Sequence, residues 1–144
     1  VLLTIKENKL KGLKMKKLAK VCLIGLFCVL VSAGCGRLTP VYQPEFPVQA
    51  RNLDHAQGVI QQSLISRGWT VRSSQPGKMV ADIDIRGKHG ATIDVNYTPT
   101  QVAIKLRDSR NLKEGFDREG TPVIHKNYNG WVQNLQQDIQ RNLN

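Results

Sequence analysis

The sequence predicts an α+β fold: a four-stranded antiparallel meander with two helices on one face, in the order α-β-β-β-β-α. Three observations carry this prediction. Apolar residues recur every three or four positions over 53–67 and again over 124–143, they alternate with polar ones over most of the stretch between, and short turn signals separate the alternating runs. Two amphipathic helices and a single-faced sheet bury one another's apolar sides, which is the two-layer solution.

The first helix places Leu53, Ala56, Val59, Ile60 and Leu64 on one face, with Asn52 or Asp54 as its cap and Gly68 as its stop. The period then changes to two. Trp69 and Val71 begin a short strand, and Gln75-Pro76-Gly77 turns the chain. In the second strand Met79, Ala81, Ile83 and Ile85 face inward, and Asp82, Asp84 and Arg86 face outward. In the third, Ala91, Ile93, Val95 and Tyr97 face inward, and Thr92, Asp94 and Asn96 outward. The Gly87-Lys88-His89-Gly90 break suits a hairpin, as does Thr98-Pro99-Thr100 before the last strand, where Val102, Ile104 and Leu106 face inward. Residues 108–122 read as a long irregular loop. The last helix, with Ile124, Tyr128, Trp131, Val132, Leu135, Ile139 and Leu143, sustains its period for about five turns.

The chain has 144 residues and a formal net charge of +10. Such an excess ordinarily points to nucleic acid or an anionic membrane. Here it is uneven: seven lysines, Lys6 to Lys20, stand among the first 34 residues with a single acid, Glu7. The remaining 14 basic and 10 acidic residues leave +4 for the rest, so nucleic acid is not an expected partner.

From Met15 a basic stretch leads into an apolar run over 21–31 and then Ser32-Ala33-Gly34-Cys35, the order of a secretory signal. The run is about half the length a membrane span needs. Residues 1–14 read as an over-extended start or a long basic region. Residues 31–35 resemble the lipobox of bacterial lipoproteins, with Ser32 where Leu is usual. That resemblance implies cleavage before Cys35, diacylation of its thiol with a fatty acid such as palmitate, and attachment of the new N-terminus to the membrane. Cys22 and Cys28 fall in the discarded run, so Cys35 is the one thiol of the mature chain and no internal disulfide forms. Gly36, in place of Asp, resembles the sorting rule for the outer membrane of Gram-negative bacteria. The expected organisation is therefore an export signal over 1–34, a Pro-bearing tether over 35–51 and a periplasmic domain over 52–144. With Pro40, Pro44 and Pro47 the tether reads as an extended spacer of roughly 50 Å. The alternative is that Val41, Tyr42, Phe46 and Val48 dock on the domain.

Arg67-Gly68-Trp69 after the first helix, and the Ile-His-x-x-Tyr-Asn-x-Trp-Val pattern over 124–132, resemble a family of small, uncharacterised outer-membrane lipoproteins of Gram-negative proteobacteria. The resemblance implies class and location and brings no activity.

Candidate chemistry is sparse. His55, His89 and His125 have no metal-ligand spacing. His125 with Ser109 and Asp108 is a conceivable Ser-His-Asp set, but no nucleophile elbow accompanies it, and a hydrogen bond at a helix start is the preferred role. Asp82, Asp84 and Asp94 on the outward sheet face could hold Ca²⁺. Lys105 opposite Asp94 and Arg107 opposite Thr92 offer charge compensation instead, and an ion-paired face is preferred. Trp69, Tyr97, Tyr128 and Trp131 read as core, or as the lining of a groove under the last helix.

The expected function is a non-enzymatic, lipid-anchored binding or adaptor lipoprotein without cofactor or metal. It would use Asp82, Asp84, Asp94, Lys105, Arg107 or His125 to contact a small ligand or an envelope protein, the loop over 108–122 being the other candidate surface. A carrier of a small or cell-wall ligand is the alternative, and a hydrolase using His125 is a third reading.

Overall fold

The computed structural model describes residues 37–144, which form one compact unit. It is α+β with two helices, and its sheets are antiparallel. The strands are β1 (Leu38–Pro40), β2 (Glu45–Pro47), β3 (Thr70–Gln75), β4 (Lys78–Ile85), β5 (His89–Tyr97), β6 (Gln101–Arg110), β7 (Gly115–Phe116) and β8 (Pro122–His125). The helices are α1 (Leu53–Ser66) and α2 (Lys126–Leu143). The expected meander is present as β6-β5-β4-β3, but β2 extends it to five strands, and β1-β8-β7 make a second, three-stranded sheet.

Local chemistry sets the element ends. The Asn52 side chain caps α1 by accepting the His55 amide at 2.8 Å. Gly68, at φ +81°, closes the helix: its amide reaches the Ile65 carbonyl and the Trp69 amide reaches that of Leu64, the paired bonds of a Schellman motif. Asp84 Oδ1 accepts the Gly87 amide at 2.7 Å inside the β4–β5 hairpin. Thr98 Oγ1 accepts the amides of Thr100 and Gln101 and so shapes the β5–β6 turn.

The inward residues of β4, β5 and β6 meet Ala56, Ile60 and Leu64 of α1 and Tyr128, Val132, Leu135 and Ile139 of α2 in one core. The two helices are also tied by charge: Arg67 donates from Nε and Nη2 to both oxygens of Asp138, and Arg141 reaches the same carboxylate. Asp138 is buried, and its hydrogen bond from Arg67 holds its carboxyl below the usual carboxylate range.

The spacer expected over 35–51 is the main correction. From Arg37 onward the segment is docked throughout and the domain begins there, not at residue 52. β1 pairs with β8 and β2 with β6. Between and beyond them the Val41 amide donates to Pro122, Val48 to Thr100, Gln49 to Leu143 and Ala50 to Pro99. Asn129 of α2 holds the bend, accepting the Tyr42 amide at 2.9 Å and donating to Thr39 Oγ1 and the Pro40 carbonyl. Phe46 and Val48, each only 3% exposed, enter the core. The prolines signal an extended backbone truly, yet extended backbone is also what an edge strand needs, and β1 and β2 are edge strands.

The loop expected over 108–122 is corrected likewise. Residues 108–110 continue β6, while β7 and β8 pair with each other. Ile124 and His125 belong to β8, so α2 begins at Lys126.

The docked segment makes a direct prediction. Phe46→Ala lowers unfolding free energy by about 3 kcal/mol in urea denaturation, the cost of emptying a core aromatic site, whereas a free spacer predicts no change.

Candidate functional site

Both helices pack on one side of the five-stranded sheet, which leaves the outward side chains of β3 to β6 facing solvent. Strand alternation alone brings Asp82, Asp84, Asp94, Lys105 and Arg107 to this face. Two irregularities then complete it. The register shifts between Val71 and Ser73 and again between Thr92 and Ile93, leaving Arg72 and Arg107 as the unmatched residues. Each bulged arginine reaches an aspartate: Arg72 donates to Asp82, and Arg107 binds both oxygens of Asp94. Lys78 Nζ lies 3.7 Å from the same Asp94 carboxylate.

A third arginine crosses the sheet. Arg110 lies opposite Gly90, which lies opposite Asp84, and the Arg110 guanidinium passes over the glycine to reach the Asp84 carboxylate at 2.8 Å. A Cβ on Gly90 would stand 3.1 Å from the Ile83 carbonyl and 3.4 Å from Arg110 Nη2, so a side chain there would crowd this path. The expected opposition of Lys105 and Asp94 is present, as is that of Tyr97 and Val102. Arg107 is not opposite Thr92, because the bulge puts Asp108 there instead. Compensation of Asp94 therefore comes from Arg107 and Lys78, and Lys105 forms no ion pair among the described residues.

Around Thr92 the face sinks into an open concavity of about 330 Å³, bordered by Arg72, Asp82, Asp84, Asp108 and Arg110. Asp82 and Asp108 flank Thr92 on its two sides. Asp108, unlike Asp82, has no ion-pair partner among the described residues. The arrangement suits a cationic group that arrives between them. Among the described residues no three His, Cys, Asp or Glu side chains are grouped to hold a metal ion.

The hydrogen bond from Arg107 holds the Asp94 carboxyl below its ordinary range, and the hydrogen bonds from Arg110 and the Gly87 amide do the same for Asp84.

The remaining candidates do not join this face. His125 caps α2, its Nδ1 accepting the Asn127 amide at 3.3 Å. Ser109 donates to Glu114 Oε2 at 2.7 Å, and Asp108, its strand neighbour, points to the opposite side of β6. The three have no mutual hydrogen bond. Under α2, Tyr128 is wholly buried in the core and Trp131 packs half-buried against it. The hydroxyl of Tyr128 and the indole N–H of Trp69 lack hydrogen-bond partners. Cys35 lies outside the described residues, as does the export signal. No helix among the described residues is long and apolar enough to cross a membrane.

Sequence reasoning missed Arg72 and Arg110. Arg72 follows the inward Val71 and faces outward by alternation, but its partner depends on the β3–β4 register, which no local pattern shows. Arg110 carried a usable signal in Gly90, a glycine within an alternating strand, which marks a close approach.

No family model, curated protein or solved structure matches this chain.

Two measurements follow. In an NMR titration Asp84 and Asp94 titrate below free aspartate, and Arg107→Gln returns Asp94 toward its ordinary value. Depressed carboxyl values mean that the stability these pairs add is present above about pH 4 and fades as pH falls through their folded values. Tyr128→Phe removes a buried, unpartnered hydroxyl and raises stability by about 1 kcal/mol.

Proposed function

We propose that this chain is a non-enzymatic lipoprotein of a Gram-negative envelope, held by acyl chains on Cys35 to the periplasmic side of the outer membrane, where it binds a protein partner. The observation that carries the reading is Ser32-Ala33-Gly34-Cys35 directly after a basic stretch and a short apolar run. Two or more acyl chains give lasting attachment, where one is marginal.

The docked segment sharpens what such an anchor does. Arg37 already belongs to the domain, two residues after Cys35. Those two residues span about 7 Å. The domain would rest against the bilayer instead of hanging from it on a spacer.

The partner surface we favour is the outer face of the five-stranded sheet. Its arginine–aspartate pairs hold the side chains in place, and Asp108 and Lys105 remain free of ion pairs among the described residues. Exposed ion pairs add little stability, but fixed charges favour one partner over another. A partner with a basic side chain for the concavity between Asp82 and Asp108 fits this chemistry. Ser109 and His125 are engaged elsewhere, by Glu114 and by the Asn127 amide, which counts against the hydrolase reading that joins them with Asp108.

Metabolic labelling tests the anchor. Radiolabelled palmitate is incorporated into the chain and lost in Cys35→Ser, which leaves the membrane fraction; label retained by Cys35→Ser contradicts the reading. For the partner surface, a photo-crosslinker at position 108 forms a discrete protein adduct in intact envelopes, and Asp82→Lys reduces that adduct by about tenfold, the effect of roughly 1.4 kcal/mol.

A further inference from the structure

The basic excess of the domain is gathered at one end. Arg37, Arg86, Lys88, Arg110, Lys113 and Lys126 stand there, all exposed, with Asp84 and Glu114 as the two acids. Backbone pairing builds this end. Leu38 is opposite His125, and the Lys126 amide donates to the Arg37 carbonyl at 3.2 Å. On the other side of β8 the His125 amide donates to the Leu112 carbonyl at 2.8 Å, which brings Lys113 alongside. Asn111 links this loop to the β4–β5 hairpin: its carbonyl accepts from His89 Nδ1 at 2.9 Å, and its Nδ2 donates to the Lys88 carbonyl at 2.7 Å.

The other eight basic and eight acidic residues of 37–144 cancel, so the whole net charge of +4 belongs to this end. Its two carboxylates are already engaged, Asp84 by Arg110 and Glu114 by the Ser109 hydroxyl. The half-exposed Leu38 sits among the cations. This is also where the chain enters the domain, two residues after Cys35.

We propose that this basic end docks on the anionic phospholipid headgroups of the bilayer that the Cys35 acyl chains enter, a proposal that rests on the lipid-anchor reading. The anchor brings that end to the surface, the cations meet headgroup phosphates, and Leu38 presses into the interface. Each exposed cation near such a surface strengthens the attraction roughly fivefold. Docking by this end would hold the domain in one orientation on the membrane.

The test uses residues 35–144 carrying Cys35→Ser, since residues 37–144 hold a complete core of their own. The chain is sedimented with phosphatidylcholine vesicles, with or without phosphatidylglycerol. Binding to the anionic vesicles alone is expected, and it is lost at high salt. The double reversal Lys113→Glu with Lys126→Glu weakens it by at least about tenfold, whereas Arg51→Glu with Arg118→Glu, away from this end, changes it by less than about twofold. Equal association with neutral vesicles, equal loss in both double variants, or tighter binding to a double-stranded oligonucleotide than to anionic vesicles would overturn the proposal. The salt response of the unreversed chain keeps the test decisive should a reversal disturb folding. Because the tested chain carries no lipid, a failure here is distinct from a failure of palmitate labelling on Cys35.

Discussion

The backbone hydrogen bonds of residues 37–50 are the constraint on which the rest of this molecule depends. They add β2 to the large sheet, supply an edge to the small one and tie both to α2 through Asn129 and Leu143. Unpaired backbone groups at a buried position are costly. A segment that satisfies its own amides while covering two sheet edges and placing Phe46 in the core is part of the fold, not an attachment to it. It also fixes the place at which the chain, two residues after Cys35, enters the domain.

The outer sheet face shows how a small irregularity produces a site. Unbroken alternation already places Arg72 and Arg107 on this face, and the bulges leave each unmatched in the ladder and within reach of an aspartate. In β6 the extra residue also turns Asp108 outward, opposite Thr92. Gly90 does the corresponding work for Arg110 by leaving its path clear. The face therefore has a fixed pattern of charge with a concavity in it, and the helices on the opposite side leave it open to solvent.

Much of this fold is legible in the sequence, and the parts that are not have identifiable causes. Both helices, the alternation of β4 to β6 and the pairing of Tyr97 with Val102 follow from period and turn length, because burial on one side enforces them. The N-terminal segment misleads because proline-marked extended backbone is the same signal in a spacer and in an edge strand, and only tertiary partners distinguish them. β7 and β8 are too short to show a period, so residues 108–122 read as a loop. At the candidate site, Asp82, Asp84, Asp94, Lys105 and Arg107 are brought to one face as their alternation implies. His125 belongs elsewhere, its capping role being the one its place before a helix suggests. The exact partners of Arg107 needed the bulge, which no local pattern encodes.

A docked segment over 37–50 distinguishes a chain that is folded from Arg37 onward from one that reaches its core by a free spacer, and amide hydrogen exchange reads that difference directly. The amides of Val41, Val48, Gln49 and Ala50, each bonded to a distant carbonyl, are predicted to exchange with protection comparable to that of β5. Exchange of these four at the rate of an unstructured peptide, with β5 still protected, would contradict the account.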